Sequence, residues 1–316
     1  MQALIRSFLL FIIVITCSAC SSENSSEKMP QSIPETPDVL ALKHLQFLSS
    51  ERLAGRKVGS KGGQLAQDYI INQLQHYKVR PFSSGYRASF EHHNFFKSTQ
   101  GSNIVAFTPG TESPSKFIVL SAHFDHLGRQ GSKIYHGADD NASGTSALLH
   151  YAKQIQQSPL RHSVIFLFTD GEESNLMGAR AFIEQNQSLL TAIVLNINLD
   201  MIAGTQTTQN LHSISRRLDQ ILTAKQLKLL ARQNNPIEVK SGFHSPRRSE
   251  RTHIRWELAS DHAVFYQHKI PFIYYCVGEH KNYHQTSDSY ENINQQFFLA
   301  AVATIYQQIS FIDQNL

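Results

Sequence analysis

The stretch VIFLFTDGEESNLMG, residues 164–178, joins an apolar run to two adjacent acids. Val164 to Phe168 is rich in β-branched and aromatic residues, which predicts a strand buried on both faces, as in a parallel sheet. Glu172 and Glu173 follow shortly after, and paired acids at the end of a buried strand are costly unless a positive charge lies beside them. Ligands of open α/β sheets bind outside the carboxyl ends of the strands. The stretch therefore predicts an α/β fold with a binding site at this edge of the sheet.

Other predicted strands also end in residues that can bind metal. The strand 117–122 ends at His123, and Asp125 is well placed to accept the second N–H of that imidazole and fix its tautomer. The other candidates are Asp139, within the GADDNASG turn, Asp200, after the strand 192–199, and His284, after the strand 271–277. Converging acids would repel one another without a cation, and imidazole with carboxylate suits first-row divalent metals, zinc foremost. A carboxylate left unliganded could act as a general base.

Composition supports one large catalytic or binding domain over residues 39–316. The 316 residues are 41% hydrophobic and 17% charged, which is enough for a full core. The formal charge of +4 falls only to +3 without Arg6, and no long basic run is interleaved with aromatic residues, so nucleic acid is not an expected partner. Helical periodicity is predicted for 40–53, 63–77, 145–155, 215–233 and 294–311.

The N-terminus resembles a bacterial lipoprotein signal peptide over residues 1–19. Arg6 supplies the positive start, an apolar stretch covers 8–15, and small residues precede Cys20, which would become the lipidated first residue. Residues 20–38 are rich in Ser, Glu and Pro and are predicted to form a disordered tether. We therefore expect export to the cell envelope, with a lipid anchor on the periplasmic side and outer-membrane sorting in a Gram-negative host. Ordinary secretion is the alternative.

Six motifs stand in order along the chain: SAHFDHLG, GADDNASG, FTDGEESNLMGARAF, NLDMI, SDHAVF and YHQTSD. Together they resemble the M28 family of zinc aminopeptidases and carboxypeptidases, and the upstream segment FLSSERLAGRKVGS is similar to that family's N-terminal segment. The resemblance covers about residues 40–311. It implies a three-layer α/β/α sandwich around a mixed, largely parallel sheet.

The resemblance also implies a role for each site residue. The implied ligands are His123 and Asp200 for one Zn²⁺, Glu173 and His284 for a second Zn²⁺, and Asp139 as the bridge between the two ions. The peptide bond from Asp139 to Asp140 is expected to be cis. Glu172 would be the general base. Supporting carboxylates that do not bind metal would be Asp125, Asp140 and Asp261.

The activity implied is hydrolysis of peptide bonds by two zinc ions, with removal of N-terminal residues from peptides that have a free N-terminus. Three alternatives stay open: a glutaminyl cyclase that uses one zinc, a carboxypeptidase of the same family, and a non-catalytic binding module. The basic segment 245–255 is most often a solvated surface, but it could instead hold a substrate carboxylate. The sequence leaves the substrate side chain, the native metal and the oligomeric state open.

Overall fold

A computed structural model describes residues 37–94, 97–243 and 255–316 of the protein. The strands are β1 Arg80–Pro81, β2 Arg87–Asn94, β3 Lys97–Thr108, β4 Ser113–His123, β5 Gly128–Gln130, β6 Lys133–Tyr135, β7 His162–Thr169, β8 Ile193–Leu199, β9 Leu211–Arg216, β10 Val239–Ser241 and β11 Phe272–Cys276. The helices are α1 Pro37–Leu48, α2 Lys61–His76, α3 Gly144–Gln157, α4 Met177–Gln185, α5 Ala224–Ala231, α6 His262–Gln267 and α7 Gln295–Asn315.

Nine of these strands form one mixed sheet. The order across it is β1-β3-β7-β4-β8-β11-β9-β10, with β2 paired to β3, while β5 and β6 form a separate hairpin. The four central strands, β7, β4, β8 and β11, run parallel to one another. Because their carboxyl ends meet at one edge, residues that follow these strands lie side by side.

The strand β7 shows how the sheet separates two apolar layers. All eight of its residues are buried. Val164, Phe166 and Phe168 belong to the larger core, which α1, α2, α3 and α7 cover, whereas Ile165 and Leu167 belong to a second core beneath α4 and α6. Alternate residues of a strand point to opposite faces, so both faces need helices. The predicted three-layer α/β/α sandwich is confirmed.

The predicted helix over 215–233 is wrong in its first half. Residues Leu211–Arg216 form β9, which pairs antiparallel with β11. The helix α5 begins only at Ala224, where the side chain of Thr223 caps it and Gln226 completes a capping box. The leucines of this region satisfied a helical period, but strand pairing with the neighbouring β11 decided the structure.

The predicted signal peptide and Cys20 lie outside the described residues. The helix α1 begins at Pro37, a favoured first helical residue, so the last two residues of the predicted tether are helical. No helix in the described ranges is long and apolar enough to cross a membrane. Cys276 is a free, fully buried cysteine of β11, as expected of a small core residue.

A buried histidine links α1 to α2 away from the strand ends. His44 Nδ1 lies 2.7 Å from the Tyr69 hydroxyl, and its Nε2 lies 2.8 Å from the Tyr77 hydroxyl. Burial lowers the pKa of His44 to about 3, and His150 and Lys153 add to the effect. The folded state therefore keeps this imidazole neutral.

We expect the His44 network to make the protein sensitive to acid. The unfolded state takes up a proton near pH 6.5 and the folded state only near pH 3, so stability is lost as the pH falls below 6.5. Between pH 7 and pH 5 this histidine should account for a loss of about 2 kcal/mol. Urea unfolding at both pH values would measure it, and His44→Gln, although less stable at pH 7, should lose correspondingly less. Equal losses in the two proteins would contradict the prediction.

Candidate metal centre

The sheet brings the predicted residues together at the carboxyl ends of its central strands. His123 is the last residue of β4, and Asp200 directly follows β8. After β7, Gly171 takes a φ of +74° and starts a short 3₁₀ helix that contains Glu172 and Glu173. A Cβ added at Gly171 would lie 2.9 Å from the end of the Met177 side chain, so both the conformation and the space favour glycine.

One group of donor atoms forms around His123. Its Nε2 lies 3.3 Å from Asp200 Oδ1 and 3.4 Å from Asp140 Oδ1. His123, Glu172 and Asp200 each present one atom within 4.8 Å of the others. The predicted neighbours His123 and Asp200 therefore do meet.

A second group forms around Glu173. His284 Nε2 lies 3.2 Å from Glu173 Oε2 and 3.2 Å from Asp140 Oδ2. His126 Nδ1 lies 2.7 Å from Glu173 Oε1. Since Asp140 directs Oδ1 toward His123 and Oδ2 toward His284, this one carboxylate faces both groups.

Asp139, the predicted bridging residue, does not face the two groups of donor atoms, whereas its neighbour Asp140 faces both. Asp139 Oδ2 instead lies 2.8 Å from His280 Nε2, and Asp139 Oδ1 accepts the backbone N–H of Ala203 at 2.7 Å. The cis peptide bond is correspondingly between Asp140 and Asn141, not between Asp139 and Asp140. Adjacent residues of this turn point to different surroundings, and the sequence GADDN does not say which acid faces the strand ends.

The predicted supporting acids make different contacts from those expected. The main-chain oxygen of Asp125 lies 3.2 Å from His123 Nδ1, whereas its carboxylate is 3.7 Å away and accepts the backbone N–H of Glu172 at 3.0 Å. Asp125 thus ties two site residues together. Asp261 accepts a hydrogen bond from the Thr169 hydroxyl at the end of β7. Asp140, also predicted as a support, is the central residue described above.

Asp288 holds the turn that carries both aspartates. Its Oδ1 accepts the N–H of Asp139 at 2.9 Å, and its Oδ2 accepts the N–H of Asp140 at 3.0 Å. Burial and the neighbouring Asp139 charge raise the pKa of Asp288 to about 7. The YHQTSD motif therefore supplies His284 toward the donor groups and a second residue that orients Asp140.

A buried arginine connects three segments behind the site. The Arg56 guanidinium donates to the carbonyl oxygens of Leu48, Phe124, His136 and Gly137 at 2.6–2.8 Å. Two of these acceptors flank the His123 segment and the turn before Asp139. Burial lowers the pKa of Arg56 to about 10, while Asp288 and Asp140 raise it, so the side chain stays charged near neutral pH. Sequence reasoning missed it, because an arginine among glycines predicts an exposed loop.

The charged groups at the site change one another's pKa values. Burial opposes the protonation of His123, but the carboxylates of Asp200 and Glu172 outweigh it and raise the pKa well above the ordinary value. Burial also raises the pKa of Glu172 well above its ordinary range, with His123 opposing and Asp200 adding to the rise. The acids thus create a negative potential that a cation would relieve.

A cavity of about 190 Å³ opens onto the donor groups. Its lining combines acidic side chains with aromatic and apolar ones. The lining includes Asp140, Glu172, Glu173, Asp200, Glu279, Met201, Trp256, Tyr274, Tyr283 and His284. The basic segment predicted over 245–255 lies outside the described residues except for Arg255, which is exposed.

The donor set suits first-row divalent cations such as Zn²⁺. Glu173 Oε1 and both ring nitrogens of His126 are buried without a hydrogen-bond partner among the described residues. Buried polar atoms are nearly always paired, so these atoms are suited to bind a cation. Imidazole nitrogen and carboxylate oxygen are the ligands that zinc takes. The two groups of donor atoms share Asp140.

Comparisons with known proteins identify the family of this chain. The family model "Peptidase family M28" matches residues 103–309. The chain belongs to this family. A glutamate carboxypeptidase 2 homolog of Caenorhabditis briggsae is 31% identical over 55% of this chain and 22% of its own length. A probable lipoprotein aminopeptidase, LpqL, of Mycobacterium tuberculosis is 34% identical over 34% of this chain and 21% of its own length.

Solved structures share the fold at low identity. A zinc aminopeptidase from Bacillus subtilis has a TM-score of 0.64 at 13% identity, over 86% of this chain and 94% of that one. A glutaminyl cyclase of Porphyromonas gingivalis has a TM-score of 0.64 at 17% identity, over 89% of this chain and 99% of that one. The first curated relatives are longer: the chain covers only 20–48% of their length.

The shift from Asp139 to Asp140 can be tested with a matched pair of variants. We expect Asp140→Asn to lose bound zinc, because it removes charge from the carboxylate that faces both donor groups. Asp139→Asn should retain its zinc, since the amide oxygen can still accept the Ala203 N–H. Elemental analysis after gel filtration would measure zinc per chain. Zinc loss in Asp139→Asn with retention in Asp140→Asn would restore the original assignment.

Proposed function

We propose that the protein is a two-zinc aminopeptidase that removes residues from the free N-terminus of peptides. The observation that carries the proposal is the pair of donor groups sharing Asp140 beside a cavity lined in part by acidic side chains. His123 and Asp200 would hold one ion, Glu173 and His284 the other, and Asp140 both. Bound zinc supplies Lewis acidity and brings the pKa of a bound water to about 7.

Glu172 is the best candidate for the general base. Glu173 pairs with His126 and His284, whereas Glu172 forms no ion pair with any histidine in the described ranges. The Glu172 carboxylate is therefore free to take a proton from the attacking water and return it to the leaving amine. Burial raises its pKa, which favours proton uptake near neutral pH. Its backbone is fixed by the hydrogen bond to Asp125.

The cavity supports cleavage at a chain end. Its volume of about 190 Å³ is below the roughly 300–1,000 Å³ of pockets for drug-sized ligands, so it has room for little more than one residue. Glu172, Glu173 and Glu279 can surround a substrate ammonium, whose burial without a partner would be very costly. Trp256 and Tyr274 also line the cavity and can contact a substrate side chain.

Peptides with free and acetylated N-termini test the proposal. We expect free peptides to be shortened from the N-terminus one residue at a time and acetylated ones to resist, because acetylation removes the ammonium charge. Mass spectrometry of the products over time would show which end is lost. Equal cleavage of both sets, or release of C-terminal residues, would favour a carboxypeptidase. Conversion of N-terminal glutamine to pyroglutamate would favour a cyclase.

Glu172→Gln serves as the matched control for these assays. The substitution keeps size and hydrogen bonding but removes the base, so the turnover number should fall by at least ~100-fold. Zinc content should stay that of the wild type. In the wild type a chelator should abolish activity and added zinc should restore it. Zinc should not restore activity in Glu172→Gln.

We also propose that the protein is held at the outer face of a bacterial inner membrane or in the outer membrane by lipid on Cys20. The leader, the small residues before Cys20 and the polar segment after it support this location. The resemblance to a probable lipoprotein aminopeptidase is consistent with it.

Cys20→Ser tests the anchor in a bacterial host. We expect the wild-type protein in the membrane fraction and the variant in the soluble fraction or unprocessed, because serine cannot carry the thioether-linked lipid. Immunoblots of fractionated cells would measure the distribution. An unchanged distribution would favour ordinary secretion.

A further inference from the structure

His126 is a buried histidine of the site to which the proposed ligand set gives no role. It lies three residues beyond the end of β4 and is 1% exposed. Its Nδ1 is 2.7 Å from Glu173 Oε1. Neither ring nitrogen, nor that glutamate oxygen, has a hydrogen-bond partner among the described residues.

His126 Nδ1 and Glu173 Oε1 lie close together although neither has a hydrogen-bond partner among the described residues. At 2.7 Å the two atoms are close enough to share a proton or a cation. The ring packs closely against Gly137, where an added Cβ would lie 2.6 Å from its Cγ and Cδ2. Both buried atoms therefore need a third partner.

We propose that His126 is a direct ligand of the cation held by Asp140, Glu173 and His284. The inference rests on the proposed two-metal site and adds a second imidazole to one of its ions. Two ligands of one zinc ion, each bound at about 2.0–2.2 Å, lie no more than about 4.4 Å apart. His126 Nδ1 meets this limit to Glu173 Oε1 and, at 3.7 Å, to Asp140 Oδ2.

The neighbouring ligand agrees with the same position. His284 Nε2 is 3.2 Å from both Glu173 Oε2 and Asp140 Oδ2, and its ring stands edge-on to that of His126 with centroids 5.9 Å apart. The two imidazoles thus approach the same two carboxylates. One ion would have two imidazoles, and the other only His123.

This asymmetry predicts unequal binding of the two ions. Imidazole favours Zn²⁺ and Co²⁺ over the harder cations, so the His126 position should keep its ion when a chelator removes the other. A role limited to orienting Glu173 is the competing explanation, since partners of metal ligands typically change affinity by about 10–100-fold. A hydrogen-bond donor can replace His126 if His126 only orients Glu173, but not if His126 binds the metal.

His126→Asn separates the roles, because its amide can donate to Glu173 but is a poor ligand for zinc. Co²⁺ titration followed by visible absorption and zinc analysis at a fixed concentration of competing chelator would be the measurements. We expect two binding steps in the wild type. In the variant one step should weaken by more than ~100-fold with a changed Co²⁺ spectrum, and the other should stay. A smaller loss, or an unchanged spectrum, overturns the inference.

His162→Asn is the matched control. His162 is also a buried histidine beside a carboxylate, with Nδ1 2.9 Å from Asp313 Oδ1, but it lies at the opposite end of β7 from the site. The His162→Asn variant should bind both ions as the wild type does. His126→Gln is made in parallel, with circular dichroism of the chelated proteins, so that a folding defect in one variant does not decide the result.

The wild-type titration distinguishes the two proposals. If the wild type binds fewer than two ions, the two-metal function fails whatever His126 does. If the wild type and both His126 variants bind two ions equally well, only the assignment of His126 fails.

Discussion

The structure depends on bringing buried carboxylates together at one edge of a parallel sheet. Asp140, Glu172, Glu173 and Asp200 line one small cavity, and burial opposes the ionisation of each. Like charges in a low dielectric repel strongly, so each acid needs a hydrogen-bond donor, an imidazole or a cation. Arg56 supplies a fixed positive charge nearby, but it donates its hydrogen bonds to four main-chain carbonyls. It therefore holds the segments in place, while imidazoles are the side chains that contact the acids.

The adjacent residues Asp139 and Asp140 show how the chain divides this charge. Asp139 is satisfied within the protein by the Ala203 N–H and His280. Asp140 faces imidazoles that neighbouring acids also contact, His123 on one side and His284 and His126 on the other. The Asp288 carboxylate accepts both backbone N–H groups and so fixes which acid faces which environment. One acid thus becomes structural, and the other remains available for metal.

Sequence reasoning predicted the layers and the position of the site because both follow from the ends of buried strands. It could not choose between Asp139 and Asp140, since that choice depends on Asp288, which lies far away in sequence. The helix predicted over 215–233 failed for a similar reason: pairing with β11 overrode a local period. Sequence reasoning missed Arg56, His126 and His280 because the contacts that connect them to the site join residues far apart in sequence. His126 and Asp288 stand inside quoted motifs, yet no spacing rule gives them a role.

The fold alone does not decide the reaction. A zinc aminopeptidase and a glutaminyl cyclase resemble this chain equally by TM-score. The choice between their reactions therefore depends on the side chains at the site. Glu172 would suit either reaction, because a general base can take its proton from a water or from an amine. The feature that bears on the choice is Asp140, which directs one oxygen toward the His123 group and the other toward the Glu173 group. The proposed pair of ions, and with it hydrolysis by water, depends on that arrangement.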